Sequence, residues 1–345
     1  MIPELATGSS RVRYEPGFTV CRLWYPFVTC GVAGQRGTEV WVESDERYLV
    51  VVNPVGRGGH AQRQGIWLLN KLRRMGIEHE ALFTEKAGHA QELVANWIDV
   101  VDVVVAVGGD GTVNEVINGI MNSNQRGRKL AVFPSGTADD FARNMNIPLD
   151  RDDALKVLVG EYEKTIDLMR VNDRFAGVTV GIGLDAEIAY RSYQSKHLRL
   201  LAYWYHGLSM LFQPMPRSRL AITVEGERME GDYLLVVAGN AGSYGRYMKM
   251  MPDAEMDDGI INLATFELMN RFKILLLFGM STAGKHTWAR QMDEYDARAI
   301  TIECLDDVYA QFDGEATIFP KGEVLEMEVE PKVMSVRVPR YANKG

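Results

Sequence analysis

Three glycine-rich loops carry the side chains that could do chemistry in this 345-residue chain: residues 53–59, 108–115 and 134–143. Glycine lets the backbone approach a phosphate group closely, and a helix beginning at such a loop offers N–H groups with partial positive charge. The second loop also holds Asp110, and a carboxylate beside phosphates calls for a Mg²⁺ ion between them. The loops therefore predict a phosphate site. The plain alternative is a tight turn in which Asp110 only caps a helix.

Alternating strands and helices position these loops. Four short apolar runs are typical of buried strands: 48–53, 80–83, 101–107 and 130–133. Between them, Trp67, Leu68 and Leu72 recur at helical spacing up to Gly76, and a further helix is predicted over 114–121. Strands that are apolar along their whole length indicate a parallel sheet with helices on both faces. Such sheets bind ligands beyond the carboxyl ends of their strands, where the three loops lie.

After about Asp167 the pattern changes to short strands separated by turn signals, which predicts a second, mainly antiparallel β domain. The predicted strands are 174–179, 219–224, 232–238, 259–266, 299–303, 324–329 and 333–338. Two helical stretches, 185–212 and 271–288, interrupt them. Residues 1–46 show no clear period and are interpreted as an N-terminal extension of unknown purpose.

Composition narrows the class of protein. The formal charge of −8, from 38 Lys and Arg against 46 Asp and Glu, argues against a dedicated nucleic-acid binder. Three cysteines are too few for a disulfide framework, and no apolar run reaches the length of a membrane span. Since the N-terminus has no signal-peptide pattern, we expect a soluble, cytoplasmic enzyme of two domains.

One motif-like stretch competes with the three loops. Residues 279–285 match the spacing of the Walker A phosphate loop up to Lys285. His286 follows where that motif needs the hydroxyl of a Ser or Thr, and too few residues remain to complete such a domain. A helix with an accidental Gly-Lys pair is the better interpretation.

Five signatures in order resemble the catalytic domain of the diacylglycerol kinase and sphingosine kinase family, especially its soluble bacterial lipid kinases. They are 53–59, 108–115, 134–143, the Gly-Leu-Asp-Ala of 183–186 and the Asp-Gly-Glu of 313–315. The resemblance implies an α/β plus all-β fold, with a Rossmann-like parallel-sheet nucleotide domain, an antiparallel β-sandwich and an active site between them. The resemblance implies an ATP-binding domain over residues 47–168, which residues 333–341 complete. It implies a lipid-substrate domain over residues 169–332.

The resemblance also implies site residues. ATP would lie against Asn53, Gly56, Gly58, Thr84, Gly108, Gly109, Asp110, Gly111, Thr112, Asn114, Glu115, Gly136 and Thr137. Glu315 would be the base that takes the proton of a lipid hydroxyl, with Asp167 as its paired acid, because two close carboxyls raise the pKa of one. Asp110 would act on the phosphates through Mg²⁺ or fix the loop. The alternative for 313–315 is a hairpin turn, and both interpretations can hold.

Two further groups follow from the same resemblance. Asp140 and Asp185 would contact the acceptor substrate. Residues 252–260 resemble a loop that holds a structural Mg²⁺ through Asp258 and the carbonyls of Glu255 and Ile260, and oxygen ligands suit that ion. The alternative there is an Asp-Asp-Gly turn without a metal.

One residue departs from the family pattern. Asp139 stands where the family usually has Asn. A carboxylate in place of an amide donor beside phosphates should weaken nucleotide binding unless another cation compensates.

The expected function is ATP- and Mg²⁺-dependent transfer of the γ-phosphate to a hydroxyl of diacylglycerol or a related lipid. A sphingoid-base or ceramide kinase, an NAD kinase and a nucleotide- or lipid-binding protein of reduced activity stay open. The basic, aromatic segment 190–212 leaves peripheral contact with the inner face of the membrane open. A homodimer is equally open, and no nucleic-acid partner is expected.

Overall fold

The computed structural model describes residues 45–194, 216–246, 248–274, 280 and 292–340. The α-helices of this part are α1 His60–Met75, α2 His89–Trp97, α3 Asp110–Met121, α4 Asp140–Asn144, α5 Arg151–Leu158 and α6 Leu184–Gln194, with a short 3-10 helix Ile98–Val100. The strands are β1 Tyr48–Val52, β2 His79–Phe83, β3 Val103–Gly108, β4 Lys129–Pro134, β5 Glu163–Val171, β6 Arg174–Ala176, β7 Thr179–Gly183, β8 Ser218–Val224, β9 Glu227–Gly239, β10 Ile261–Glu267, β11 Met292–Ala297, β12 Ala299–Cys304, β13 Val308–Phe312, β14 Glu315–Phe319 and β15 Val324–Arg337.

The first four strands form the predicted parallel layer, in the order β2-β1-β3-β4. All residues of β1 and β3 are buried, because helices cover both faces. On one face Leu49 and Val51 pack with apolar residues of α2 and α3. On the other, Val50 and Val52 pack with Leu68 of α1 and with residues of α5. The carboxyl ends of these strands all meet the edge that carries the glycine-rich loops.

The later strands form an antiparallel β-sandwich domain. Strands β14, β13, β7, β9, β8, β12 and β15 follow one another as antiparallel neighbours, and β10 and β11 extend from β9. Alternate residues of these strands, such as Ile222, Ile302 and Leu325, fill a second apolar core. The predicted fold class, α/β followed by antiparallel β, is confirmed.

The final strand links the two layers. The sequence predicts separate strands at 324–329 and 333–338, but the structure has one strand, β15, with a change of register between Glu330 and Met334. Pro331 lacks an N–H group and Lys332 has a positive φ of 53°, so the interruption is a local irregularity within one strand. Its first half pairs with β12, and Val336 pairs in parallel with Leu130 of β4.

A cluster of ion pairs around the buried Arg337 anchors this last strand. The side chain of Arg337 is 4% exposed and contacts the carboxylates of Glu46 and Glu163. Lys129 of β4 binds the same two carboxylates at 2.8 and 2.7 Å. Four charges of alternating sign therefore join β4, β5, β15 and the residues before β1.

Some predicted elements differ from the structure or lie outside its described part. Helix α3 begins at Asp110, four residues before the predicted start. Of the predicted helix 185–212, the structure describes α6; residues 195–215 lie outside the described residues. The same holds for 275–279 and 281–291, which include most of the Walker-like stretch, and for 1–44.

Candidate active site

The first and second glycine-rich loops meet at the start of α3. Asn53 follows β1 and donates its amide N–H to Thr112 Oγ1 at 3.1 Å. Thr84 follows the neighbouring strand β2, and its N–H bonds to the carbonyl oxygen of Val52 at 2.9 Å. The structure therefore brings the predicted nucleotide residues of these segments to one edge of the parallel sheet.

The third loop lies against the second with no room for side chains between them. A Cβ atom on Gly136 would lie 2.4 Å from the Cα atom of Gly109, so only glycine allows this approach. Asp110 Oδ1 accepts a hydrogen bond from Phe141 N at 3.0 Å, which ties the start of α3 to α4. This bond is compatible with the predicted role of Asp110 in fixing the loop, and its predicted action through Mg²⁺ stays a prediction.

Glu315 reaches the same place from the sandwich. It follows Asp313 and Gly314, whose φ angles of 46° and 86° are those of a tight hairpin turn between β13 and β14. A Cβ atom on Gly111 would lie 2.9 Å from Glu315 Oε1, so this carboxylate rests on the first turn of α3. The hairpin thus carries the predicted base to the predicted phosphate loop.

Asp313 ties that hairpin to α3 of the parallel layer. Its Oδ2 accepts from Asn114 Nδ2 at 2.7 Å and from Gly177 N at 2.8 Å. Its Oδ1 accepts from the N–H groups of Val178 and Thr179 at 2.8 and 2.9 Å. Four donors therefore satisfy one buried carboxylate, and one of them belongs to α3.

The electrostatic surroundings of Glu315 favour the protonated form of its carboxyl. Partial burial and then the negative charge of Glu115 raise its pKa, as does Asp313, while the guanidinium of Arg174 opposes this. Arg174 Nη2 lies 3.7 Å from Glu315 Oε2, and the Glu315 side chain is 43% exposed. A carboxylate with a raised pKa is a stronger proton acceptor once it is ionised.

Two of the predicted nucleotide residues use their side chains within the protein. Glu115 accepts from the N–H groups of Gly88 and Ala90, at 2.8 and 2.9 Å, where its charge suits the N-terminus of α2. Asn114 is buried and donates to Asp313 and to the carbonyl oxygen of Phe175. Both side chains therefore position elements around the site.

Three carboxyl groups lie close together beside the loops. Asp140 accepts from the N–H groups of Gly245 and Arg246, both at 2.7 Å, and burial raises its pKa to about 6. Burial and the charge of Asp140 raise the pKa of Asp110 well above its usual value, and the charge of Asp139 adds to this. Burial and the mutual repulsion of these charges therefore favour the protonated forms of Asp110 and Asp140.

Asp139, the departure from the family pattern, caps its own loop. It has a positive φ of 53°, and its Oδ1 accepts from Gly136 N at 2.8 Å. Burial raises its pKa, whereas the positive charges of Arg143, Arg57 and Arg246 act in the opposite direction. Cations therefore surround the added carboxylate.

Asp185 lies within the sandwich domain at the start of α6. The hydroxyl of Tyr244 donates to its Oδ2 at 3.0 Å, and Ala186 N donates to its Oδ1 at 2.7 Å. Burial raises its pKa to about 6 despite these bonds. Tyr244 precedes the two N–H groups that bind Asp140, so both predicted acceptor residues adjoin one turn.

Asp167 is not brought to Glu315. Its Oδ2 accepts from Gly259 N at 2.6 Å and its Oδ1 accepts from Lys332 N at 2.7 Å, so backbone N–H groups hold both oxygens. Asp167 thus lies at the loop predicted to hold a structural metal ion. The carboxylates near Glu315 are instead those of Glu115 and Asp313.

The predicted metal loop is a compact turn. Asp258 Oδ1 accepts from Ile260 N at 3.0 Å. Burial raises the pKa of Asp258, and the charges of Asp167 and Glu255 raise it further. Within the described residues, no group of three or more His, Cys, Asp or Glu side chains is arranged to hold a metal ion. A site built from one carboxylate and two carbonyls remains a prediction.

Sequence reasoning missed Arg174, Gln311 and the role of Asp313. Arg174 stands at the start of a three-residue strand, where no motif marks it. Asp313 belongs to a recognised signature, but the donors to its carboxylate come from two distant segments, Asn114 and residues 177–179. The contacts of Asp313 with residues 177–179 follow from the pairing of β13 with β7, which the sequence does not reveal.

Comparison with known proteins identifies the family. Residues 47–171 match the family "Diacylglycerol kinase catalytic domain", and residues 178–338 match "YegS C-terminal NAD kinase beta sandwich-like domain". The diacylglycerol kinase of Staphylococcus aureus (strain bovine RF122 / ET3-1) is 33% identical over 274 residues, which cover 78% of this chain and 86% of that protein. This chain belongs to the diacylglycerol kinase family. The lipid kinase of strain MRSA252 is 32% identical with the same coverage.

Solved structures show the fold of this lipid kinase in other proteins. A putative diacylglycerol kinase from Bacillus anthracis superposes with a TM-score of 0.69 at 24% identity, covering 86% of this chain and 98% of that one. A second Bacillus anthracis structure, of a diacylglycerol kinase, gives 0.63 at 22% identity with the same coverage. Among the described residues, no helix is both long and apolar enough to cross a membrane.

Proposed function

We propose that this lipid kinase transfers the γ-phosphate of ATP to a hydroxyl group of diacylglycerol or a related lipid, with Mg²⁺. The observation that carries the proposal is the contact of Glu315 with Gly111, which puts a carboxylate beside the loop best suited to phosphates. Phosphoryl transfer needs little covalent chemistry from the protein, so positioning of a base against the phosphate loop is the main requirement.

In this proposal the nucleotide binds along the edge formed by the three loops. The free N–H groups at the start of α3 would bind phosphate oxygens, and Asn53, Thr84 and Thr137 would line the rest of the site. Asp110 would act on the phosphates through Mg²⁺, and burial followed by the charge of Asp140 raises the pKa of its carboxyl. When bound, Mg²⁺ would neutralise charge on the phosphates.

Glu315 acts as the general base. The lipid hydroxyl gives its proton to Glu315 as its oxygen forms a bond to the γ-phosphorus, and ADP leaves when the old phosphorus–oxygen bond breaks. Asp185 and Asp140 would hold the polar head of the acceptor, because both adjoin the turn at Tyr244. Asp258 and the carbonyls of Glu255 and Ile260 would hold a structural Mg²⁺ beside Asp167.

The wider organisation belongs to the same proposal. Residues 47–168 form the ATP-binding domain, which 333–341 complete, and residues 169–332 form the lipid domain. The pairing of Val336 with Leu130 supports this division. The enzyme would work in the cytoplasm and reach its lipid by peripheral contact with the inner face of the membrane. A homodimer is a separate prediction, which sedimentation equilibrium tests.

The test is transfer of label from γ-labelled ATP to lipids in mixed micelles with Mg²⁺. The panel contains diacylglycerol, monoacylglycerol, sphingosine and ceramide, with NAD as a soluble acceptor. We compare the wild type with Glu315→Gln and with Glu326→Gln, which changes an exposed glutamate of β15.

We expect label in diacylglycerol, at least about 100-fold less with Glu315→Gln, and no loss with Glu326→Gln. Chelation of Mg²⁺ should abolish transfer. Labelling of sphingosine, ceramide or NAD alone would replace the proposed acceptor. Full activity of Glu315→Gln would refute the proposed base.

A further inference from the structure

Gln311 is a buried amide between the proposed acceptor site and the proposed base. It lies on β13 two residues before the Asp313-Gly314 turn, and it is 2% exposed. The mechanism proposed above uses neither its donor nor its acceptor. A buried side-chain amide needs partners for both, so its contacts show what it holds in place.

The acceptor oxygen of Gln311 fixes the turn. Gly314 N donates to Gln311 Oε1 at 2.7 Å, a short bond to the residue directly before Glu315. Gly314 has a positive φ of 86°, a backbone conformation that is favourable only for glycine. Its N–H direction is therefore specific to this turn. The bond therefore sets the direction in which Glu315 leaves the hairpin.

The donor group of Gln311 faces Asp185. Gln311 Nε2 lies 3.4 Å from Asp185 Oδ2 and 3.4 Å from Thr179 Oγ1. Both distances are long for hydrogen bonds, so the group is shared between two acceptors. The same Asp185 oxygen accepts from the hydroxyl of Tyr244.

Gly181 leaves the space in which these two side chains meet. A Cβ atom there would lie 2.4 Å from Asp185 Oδ2 and 2.8 Å from Gln311 Nε2. Gly181 lies within β7 and pairs directly with Gln311 of β13. Any other residue at this position would drive Asp185 and Gln311 apart.

We propose that Gln311 is a positioning residue that couples the acceptor-binding carboxylate Asp185 to the turn that presents Glu315. The inference rests on the proposed function, because it assigns a role in lipid recognition and proton transfer. An amide suits this position since it donates to a carboxylate and accepts from a backbone N–H at the same time. A movement of Asp185 on binding a lipid head group would thus be transmitted to the turn before Glu315.

Two substitutions separate the two bonds. Gln311→Glu keeps an oxygen for Gly314 N but puts a negative charge against Asp185. Gln311→Met is similar in size and removes both bonds. Thr265→Val, which removes a buried hydroxyl from β10 of the same domain, is the control for the loss of a buried polar group. For each variant we measure kcat, the KM values for ATP and diacylglycerol, and the melting temperature.

We expect Gln311→Glu to raise the KM for the lipid about tenfold while kcat stays within about twofold of the wild type. Gln311→Met should lower kcat about tenfold or more as well, because the turn before Glu315 loses its support. The KM for ATP should change little in both. A purely structural role would not split kcat from the lipid KM in this way.

The inference is overturned if both variants keep the kcat and the lipid KM of the wild type. It is also overturned if both lose activity only in proportion to their loss of melting temperature, in the same ratio as Thr265→Val. If Gln311→Met does not fold, Gln311→Glu together with Gly181→Ala decides, since Gly181→Ala should also raise the lipid KM. An active wild type with an inactive Glu315→Gln keeps the proposed function whatever the Gln311 variants do. A wild type that phosphorylates no lipid refutes that function and this inference with it.

Discussion

Replacement of Gly111 by alanine should lower activity without lowering stability. Gly111 lies in the first turn of α3, and alanine is a better helix former than glycine by about 1 kcal/mol. The three atoms nearest to an added Cβ all belong to Glu315: Oε1 at 2.9 Å, then Cδ and Cγ at 3.6 Å. The substitution therefore presses first on the side chain of the proposed base.

The distances set the size of the effect. A carbon–oxygen contact relaxes to about 3.5 Å, so the carboxylate must move by about 0.5 Å or more. The side chain is flexible and 43% exposed, so this movement should cost the fold little. A base displaced by up to about 1 Å can lose about 100-fold in rate, which corresponds to about 2.7 kcal/mol of transition-state stabilisation. We expect kcat to fall about 10- to 100-fold while the melting temperature stays the same or rises.

The assay is steady-state transfer to diacylglycerol, with thermal unfolding measured on the same samples. Gly127→Ala is the control, because a Cβ there meets no atom within 4 Å. The double variant Gly111→Ala with Glu315→Gln should be no less active than Glu315→Gln alone, since both changes act on one group. A normal kcat for Gly111→Ala would refute the position of the base. Additive losses in the double variant would show that the methyl group acts elsewhere, for instance on the nucleotide.

Other substitutions test the charges of the site. Arg174→Ala should move the acid limb of the kcat–pH profile to higher pH. The base Glu315 must be ionised to act, and the guanidinium of Arg174 lowers the pKa of the Glu315 carboxyl. An acid limb that does not move would contradict this. Asp139→Asn should lower the KM for ATP several-fold, because it removes a negative charge from the loop proposed to bind the phosphates. An unchanged KM would refute this repulsion. The stability of Asp185→Asn relative to the wild type should increase as the pH rises from below 3.8 to above 6, because burial raises the pKa of Asp185 to about 6 and its ionisation destabilises only the wild-type fold. A stability difference that does not change over this pH range would refute the prediction.

The parallel layer could be predicted because its signals are local. An apolar run predicts β1, and Gly76 predicts the end of α1. In the structure Gly76 has a φ of 76°, which glycine adopts readily. The start of α3 could not be placed, since glycines at 109 and 111 disfavour a helix that tertiary contacts nevertheless impose. Tertiary contacts also decide β15. Pro331 predicts the end of a strand, but pairing with β5 continues β15 past it.

The site was predictable as a set of motifs and less so as a set of contacts. The sequence predicts that Glu315 and the loop 108–115 belong to one site, and the structure brings Glu315 close to Gly111, but which carboxylates surround Glu315 depends on the register of distant strands. Asp167, predicted as the acid paired with Glu315, binds the backbone at Gly259, and Asp313, for which the sequence predicts no role, binds α3. Long-range pairing of this kind leaves no periodic trace in the sequence.

The pairing of Val336 with Leu130 also has a consequence for how the enzyme is made. During synthesis, β4 appears early, yet its partner β15 emerges only after the entire sandwich. Until then β4 is an edge strand of the parallel layer, and an open strand edge is a template for pairing with other chains. The parallel layer therefore acquires its complete sheet last, although it is translated first.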